Sequence, residues 1–381
     1  MSSFLRILVA ITVVAHVPFL LAVVVFAERI AFPAPWTLAF MLAAFGVGVF
    51  VARAGAGMSD RRRTPLMLNL VDIPFFIHWC ACLFTVVPCA VATLVAPILD
   101  AVQGRPIALP WNFYLGAYVA GVVISAYGIL IRRRWFVVKE VAVPIPGLDP
   151  KLDGFRIAHL SDLHIGAITP RAWGERWARA ANRAAPDITV ITGDMVTSGT
   201  DFHEDIADVI AILEAKLGVF VSMGNHDYFG EGEPLISLIR DRGPTVLRNE
   251  GLMIEKNDAK LFIAAIDDTW TRRDDLHRAL GDRPEGVPVI LLAHDPERFT
   301  QSAKLGVELT LSGHTHGGQI AVPFLAKWLS LSHLTHHFHL GLYKKGRSTL
   351  YVHPGLGTTG PPIRIGVAPA VVILTLRAVA A

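Results

Sequence analysis

Four stretches in the first 131 residues carry no charged side chain: 7–27, 30–52, 73–99 and 106–131. Each holds at least 21 residues. At about 1.5 Å per residue, a helix of that length crosses a hydrocarbon core of roughly 30 Å. Helices in a soluble core rarely run so far without a charge, so this part of the chain reads as four transmembrane helices. Pro33 and Pro35 shorten the second, which is expected over 36–52. The first run exceeds the ~7–15 apolar residues of a signal-peptide core and is followed by three more, so it is expected to be retained.

Charge is split unevenly around this region. Residues 1–134 hold 10 arginines, no lysine and 4 acids, whereas 13 of the 15 histidines fall after residue 134. The composition, 52% hydrophobic and 18% charged, excludes a single soluble domain, a disordered chain and a disulfide scaffold. A net charge of +3 summed over two unlike halves implies no basic nucleic-acid stripe. Arg53 and Arg61, Arg62 and Arg63 lie between spans two and three, and Arg132, Arg133 and Arg134 follow span four. The positive-inside rule then predicts a multi-pass protein of the cell inner membrane, with both termini and the whole second half in the cytoplasm. His16, His78 and the three cysteines (Cys80, Cys82 and Cys89) read as packing residues within the spans.

The expected division is a membrane region at 1–134, a linker at 135–154 and one α/β domain at 155–381. In that domain strands are expected near 155–160, 188–192, 218–223, 260–266, 287–293, 307–312, 348–352 and 371–376, with helices between several of them. The strand ends are the informative part. The first runs into Asp162 and His164, the second into Gly193-Asp194, and the third into Gly224-Asn225-His226-Asp227. Later strands run into His294 and into Gly313-His314-Thr315-His316-Gly317-Gly318-Gln319. Ligands of open α/β sheets collect at the carboxyl ends of strands, and five polar clusters stand there in succession.

Carboxylate, carboxamide and imidazole together form an oxygen and nitrogen donor set suited to Mn, Fe, Zn or Co. The alternation in Asp162-x-His164 and His314-x-His316 can turn both side chains toward one pocket. A carboxylate such as Asp194 can bridge two cations. Two metals about 3.5–4 Å apart acidify a shared water, giving a bridging hydroxide as nucleophile, and clamp a phosphoryl oxygen. His226 is then placed to protonate the leaving oxygen.

These blocks resemble the calcineurin-like metallophosphoesterases, whose ordered signature of D-x-H, G-D, G-N-H-D/E, H and G-H-x-H is complete here between Asp162 and His316. The resemblance covers roughly residues 150–377. It is strongest to a bacterial membrane-associated branch with the Gly-His-Thr-His-Gly-Gly-Gln ending and a late Gly-Leu-Gly-Thr-Thr-Gly segment, here 355–360. It implies a fold of two mixed β-sheets sandwiched by helices. It also implies two divalent metal ions, one held by Asp162, His164, Asp194 and His316, the other by Asp194, Asn225, His294 and His314. His226 would be the catalytic group.

Two positions depart from the family pattern. Thr197 stands where many members carry an acid that orients the catalytic histidine, leaving the Thr197 hydroxyl or Asp227 for that task. Pro354 stands where related sequences often have an arginine. The expected activity is metal-dependent hydrolysis of a phosphoester or pyrophosphate, with membrane lipids as neighbours. The resemblance permits a lipid-linked substrate such as a UDP-acylated sugar. The rival readings are a membrane-tethered nucleotide phosphodiesterase and a catalytically idle metal-binding sensor or scaffold. No protein partner is inferable. The segment 323–342, rich in histidine and large apolar residues, reads as a covering helix, as a membrane-interface or acyl-chain-binding flap over the active site, or as a third metal site.

Overall fold

The computed structural model describes residues 3–55, 60–103 and 112–379. They form two compact units, a helical one within the first 131 residues and an α/β one that takes residues 132–379 together with 60–63. The helical unit has four helices long and apolar enough to cross a membrane, Leu5–Arg29, Pro35–Arg53, Pro65–Gln103 and Asn112–Arg134. The expected start of the fourth span, 106–111, lies outside the described residues. Large apolar side chains such as Phe40, Phe45, Leu94 and Val102 point outward, while Thr12, His16, Asp72, Thr85 and Ser125 are buried. This inverts the soluble pattern, as a lipid solvent requires. Asp72 pairs with Arg53 of the preceding helix at 2.5 Å, a structural ion pair.

The α/β unit is a sandwich of two six-stranded mixed sheets. The first sheet is built from β1 (Val137–Pro146), β2 (Arg156–Leu160), β3 (Ile188–Thr192), β4 (Val219–Ser222), β5 (Thr245–Val246) and β12 (Ala370–Val379). Its order is β1-β12-β2-β3-β4-β5. The second sheet holds β6 (Glu250–Lys256), β7 (Ala259–Ala265), β8 (Val289–Leu292), β9 (Leu309–Ser312), β10 (Gly341–Lys345) and β11 (Ser348–Val352), in the order β10-β11-β9-β8-β7-β6. The strands that carry the polar clusters run parallel: β2, β3 and β4 in one sheet, β8 and β9 in the other.

Strand alternation explains why these runs are apolar on both faces. Ile157, Val190, Phe220, Ile263, Ile290 and Leu309 fill the core between the sheets. Their neighbours Ala158, Ile191 and Val221 pack instead on Trp177, Ile206 and Leu235, which lie on the helices Arg171–Asn182, His203–Ala211 and Gly232–Asp241. On the outer face of the second sheet, Phe262, Ala264 and Leu291 meet Leu276 and Leu280.

Two segments differ from the sequence expectation. Ten of the residues read as linker form β1, because parallel pairing with β12 from Val137↔Ala370 to Pro146↔Val379 satisfies their backbone. A partner more than 200 residues away leaves no local signal. The segment 323–340 is not a covering helix: its helical content is one turn, Ser332–Leu334. It presents its apolar side chains outward, with Phe324 fully exposed, Leu334 80% and Trp328 62% exposed.

Candidate metal centre

The carboxyl ends of β2, β3, β4, β8 and β9 converge, and seven of the eight side chains singled out in the sequence meet there, with Asn225 beside His226 in the chain. Asp162, His164, Asp194, Asn225, His294 and His316 are buried, and His226 and His314 are half-buried. The donor atoms fall into two groups that share Asp194. Asp162, His164, Asp194 and His316 make one, and Asp194, His294 and His314 the other, with the atoms of each lying within 4.8 Å of one another. His164 Nε2 is 3.0 Å from His316 Nε2 and 3.6 Å from Asp194 Oδ2. His294 Nε2 is 3.2 Å from Asp194 Oδ2 and 3.3 Å from His314 Nδ1. Asn225 lies on the same loop as His226, and its Oδ1 is buried without a hydrogen-bond partner, as is Asp162 Oδ2. Such orphaned acceptors cost about 1–3 kcal/mol each, and two cations in these pockets would satisfy them.

The backbone is strained where the side chains converge. Asp162, His164, Asp194, His314 and His316 all have φ between 46° and 70°. That left-handed region is uncommon for residues other than glycine and tends to mark functional sites. The flanking glycines make the turns fit. A methyl group on Gly313 would stand 1.9 Å from Ser161 Oγ and 2.4 Å from Asp162 Oδ2. On Gly224 it would stand 2.4 Å from both the nitrogen and Oδ1 of Asp194.

Charge is distributed to attract cations. Burial pushes the Asp162 carboxyl up to about 6, against the pull of His294. Burial works the same way on Asp194, but His294 and then His226 outweigh it and hold that carboxyl well below its ordinary range. Burial likewise tends to lower His294, yet the Asp194 charge raises it to about 10. His164 is lowered to about 3 and His316 well below its ordinary value, burial being the main cause for each. Asp194 therefore keeps its negative charge beside His294, while burial favours the neutral imidazole at His164 and His316.

Hydrogen bonds fix the rings. His294 Nδ1 donates to the Thr192 carbonyl at 2.6 Å and His226 Nδ1 to the Thr197 carbonyl at 2.6 Å. In each ring Nε2 is left toward the site, the arrangement that ligating or proton-transferring imidazoles need. The Thr197 hydroxyl does not orient His226; it donates to the His164 carbonyl. The backbone at position 197 does the orienting, so the residue type there matters less than the sequence comparison implied.

Four further residues organise the site. The Asp227 carboxylate accepts from the backbone N–H of Asp194, Met195 and Gly224 at 2.7–3.0 Å, tying the β3 and β4 loops together. Asp227→Ala is expected to lower the domain's stability by about 3 kcal/mol or more, since charged acceptors of buried N–H groups contribute about 1.5–3 kcal/mol each; thermal unfolding measures this. Gln319 and Thr359 exchange two bonds, Nε2 to the Thr359 carbonyl and Thr359 N to Oε1. That pair brings the Thr359 hydroxyl to 3.3 Å from His226 Nε2. Arg364, fully buried, donates to the carbonyls of Pro354 and Gly357 and lies 3.4 Å from His316 Nδ1. No sequence signal marked Arg364. Asp267 and Asp268 order the loop after β7: Asp267 accepts from Tyr228 and Arg248, and Asp268 from Thr271.

The loop between the second and third membrane helices also reaches this unit. Asp60 Oδ2 accepts from Ala167 N, Asp60 N donates to Ser198 Oγ, and Arg62 pairs with Asp205 at 2.8 Å. Ala167 and Ser198 lie on the loops that follow His164 and Asp194.

Comparison with known proteins agrees with this geometry. Residues 155–318 match the family model for the calcineurin-like phosphoesterase. A transmembrane protein with metallophosphoesterase domain from Danio rerio is 31% identical over 65% of this chain and 59% of its own. An uncharacterized metallophosphoesterase, YkuE, from Bacillus subtilis is 31% identical over 59% of this chain and 80% of its own. A metallophosphoesterase from Aquifex aeolicus, also uncharacterized, is 34% identical over 60% and 87%. The chain spans about 60% of the vertebrate relatives it matches. With four membrane helices, a two-sheet α/β sandwich and clustered metal-donor side chains, the chain belongs to the calcineurin-like metallophosphoesterases.

Proposed function

We propose that this protein is a membrane-anchored phosphohydrolase that cleaves a phosphoester or pyrophosphate bond of a lipid-linked substrate. The observation that carries the hydrolytic reading is the pair of donor groups sharing Asp194. Asp162, His164, Asp194 and His316 would hold one divalent ion, and Asp194, Asn225, His294 and His314 the other. Such ions, when bound, lower the pKa of water and offset charge on a phosphoryl oxygen. The chain itself supplies rigid placement and a proton at His226 Nε2, which the Thr197 carbonyl keeps facing the site. Chelation with EDTA is expected to abolish turnover of an aryl phosphoester, with Mn restoring it. Undiminished activity in chelator would sink the proposal.

The lipid-linked reading rests on the segment 322–334. Its Phe324, Trp328, Leu329 and Leu334 are all exposed, and further along the same segment His336 packs edge-on against His314 at 5.6 Å between ring centroids. Exposed apolar side chains on a segment that reaches the site suit an acyl or prenyl chain. Phe324→Ser with Trp328→Ser is expected to lower the ratio of lipid-linked to aryl phosphate turnover by about tenfold or more, given ~1.5–3 kcal/mol for each buried aromatic. An unchanged ratio, with nucleotides as the better substrates, would favour a tethered nucleotide phosphodiesterase instead.

The arginine-rich loop supports a cytoplasmic site at the inner membrane. The support is the positive-inside rule, since Arg53, Arg61, Arg62 and Arg63, and Arg132, Arg133 and Arg134 flank the spans on the side that leads into the α/β unit. Arg61 is exposed, so a cysteine placed there is expected to resist impermeant maleimide in intact cells and label after permeabilisation.

A further inference from the structure

The helical unit holds a third group of metal donors, two of them buried and one half-buried, which the proposed phosphohydrolase chemistry does not use. His16 on the first membrane helix and His78 and Cys82 on the third bring one ligand atom each to within 4.8 Å of one another. His16 Nε2 is 3.3 Å from His78 Nε2, and Cys82 Sγ is 3.8 Å from the His78 ring nitrogens. We propose that His16, His78 and Cys82 form a copper(I) site inside the membrane helix bundle.

Three features of the cluster point to an ion. The first is spacing: two imidazole nitrogens at about 2.0–2.1 Å from one ion stand roughly 3.3–3.5 Å apart in tetrahedral or trigonal geometry. Second, both rings are held from behind. His16 Nδ1 donates to the Thr12 carbonyl at 2.7 Å, which leaves Nε2 with its lone pair, and His78 Nδ1 bonds the Tyr118 hydroxyl at 2.9 Å. Ligating histidines are oriented in this way by an outer partner. Third, no side chain intrudes on the ligating atoms from the second helix: the facing residue is Gly46, where even a methyl group would collide, at 2.6 Å from His16 Nε2 and 3.0 Å from His78 Nε2.

Charge selects the metal. Two imidazoles and one thiolate form a soft donor set of the kind copper takes. On binding, the Cys82 thiol gives up its proton to solvent as the Cu–S bond forms, with no change in oxidation state. Copper(I), the thiolate and two neutral imidazoles sum to zero charge. Zinc(II) in the same place would leave one net positive charge in a low-dielectric interior, where unpaired charge is costly.

The test uses the full chain in detergent or nanodiscs, stripped of metal and titrated with copper(I) buffered by bathocuproine disulfonate. About one equivalent of copper is expected to transfer from the chelator. X-ray absorption of the wild-type protein is expected to show nitrogen and sulfur neighbours of copper. His16→Gln, His78→Gln and Cys82→Ser should each remove the uptake, while Tyr118→Phe should weaken it about tenfold, as loss of an outer partner does. Asp194→Ala should retain it, which separates this site from the one in the α/β unit. Three results would overturn the proposal: no transfer to the wild-type chain, a copper shell without sulfur, or uptake unaffected by all three ligand variants. Zinc retained through the same side chains with copper(I) excluded would overturn the choice of metal. A cluster held only by an N–H···N bond between the histidines would give the first of these results.

Discussion

Asp194→Ala is expected to abolish phosphoester hydrolysis and to lower bound divalent metal from two equivalents to one or none. Asp194 is the side chain common to both donor groups, with Oδ2 3.6 Å from His164 Nε2 and 3.2 Å from His294 Nε2. Its Oδ1 also accepts the backbone N–H of His226 at 2.9 Å. Removing it would take away the carboxylate that both donor groups share and the acceptor for the His226 N–H together. If the ions supply several kcal/mol of transition-state stabilisation, a loss of about 10³-fold or more in kcat follows, at 1.36 kcal/mol per decade. Metal analysis of the purified variant beside its turnover checks both halves. A variant that kept both metals and full activity would remove Asp194 from the centre of the mechanism.

His226→Ala is expected to separate metal binding from chemistry. His226 is half-buried and adjoins the ligand groups, its ring 4.7 Å from that of His164, yet it belongs to neither donor group. Its Nδ1 is committed to the Thr197 carbonyl, which leaves Nε2 and the nearby Thr359 hydroxyl to meet a substrate oxygen. The expected result is a fall in kcat of about 10²–10⁴-fold, the usual range for a positioned general acid, with metal content unchanged. A substrate with a better leaving group should recover part of the loss, because it depends less on protonation. Equal loss on good and poor leaving groups would assign His226 to binding rather than proton transfer.

The sequence was legible where local chemistry and spacing carry the information. Four charge-free runs identified the membrane helices, because in lipid every residue of a span meets the same constraint. The polar clusters after β2, β3, β4, β8 and β9 were visible because each lies where a β-branched run stops. The flanking strand β1 and the edge strands β5, β6 and β10 were missed: they are half-exposed or short, and their pairing comes from distant partners. The segment 323–340 resembled a helix by composition, but its apolar side chains face outward and no core selects a helical face.

What the sequence alone determined was therefore the membrane spans, the α/β class and the identity of the side chains at the strand ends. Tertiary structure decided which of those side chains share an atom's reach, and that a backbone carbonyl rather than the Thr197 hydroxyl orients His226. It also brought in Arg364, docked Asp60 on the site loops, and set His16 against His78 across 62 residues of sequence. The reason is geometric. Residue type and short-range period are properties of neighbours in the chain, whereas a ligand group needs separate strands or helices to end within a few ångströms of one point. Only the packed sheets and the helix bundle impose that distance.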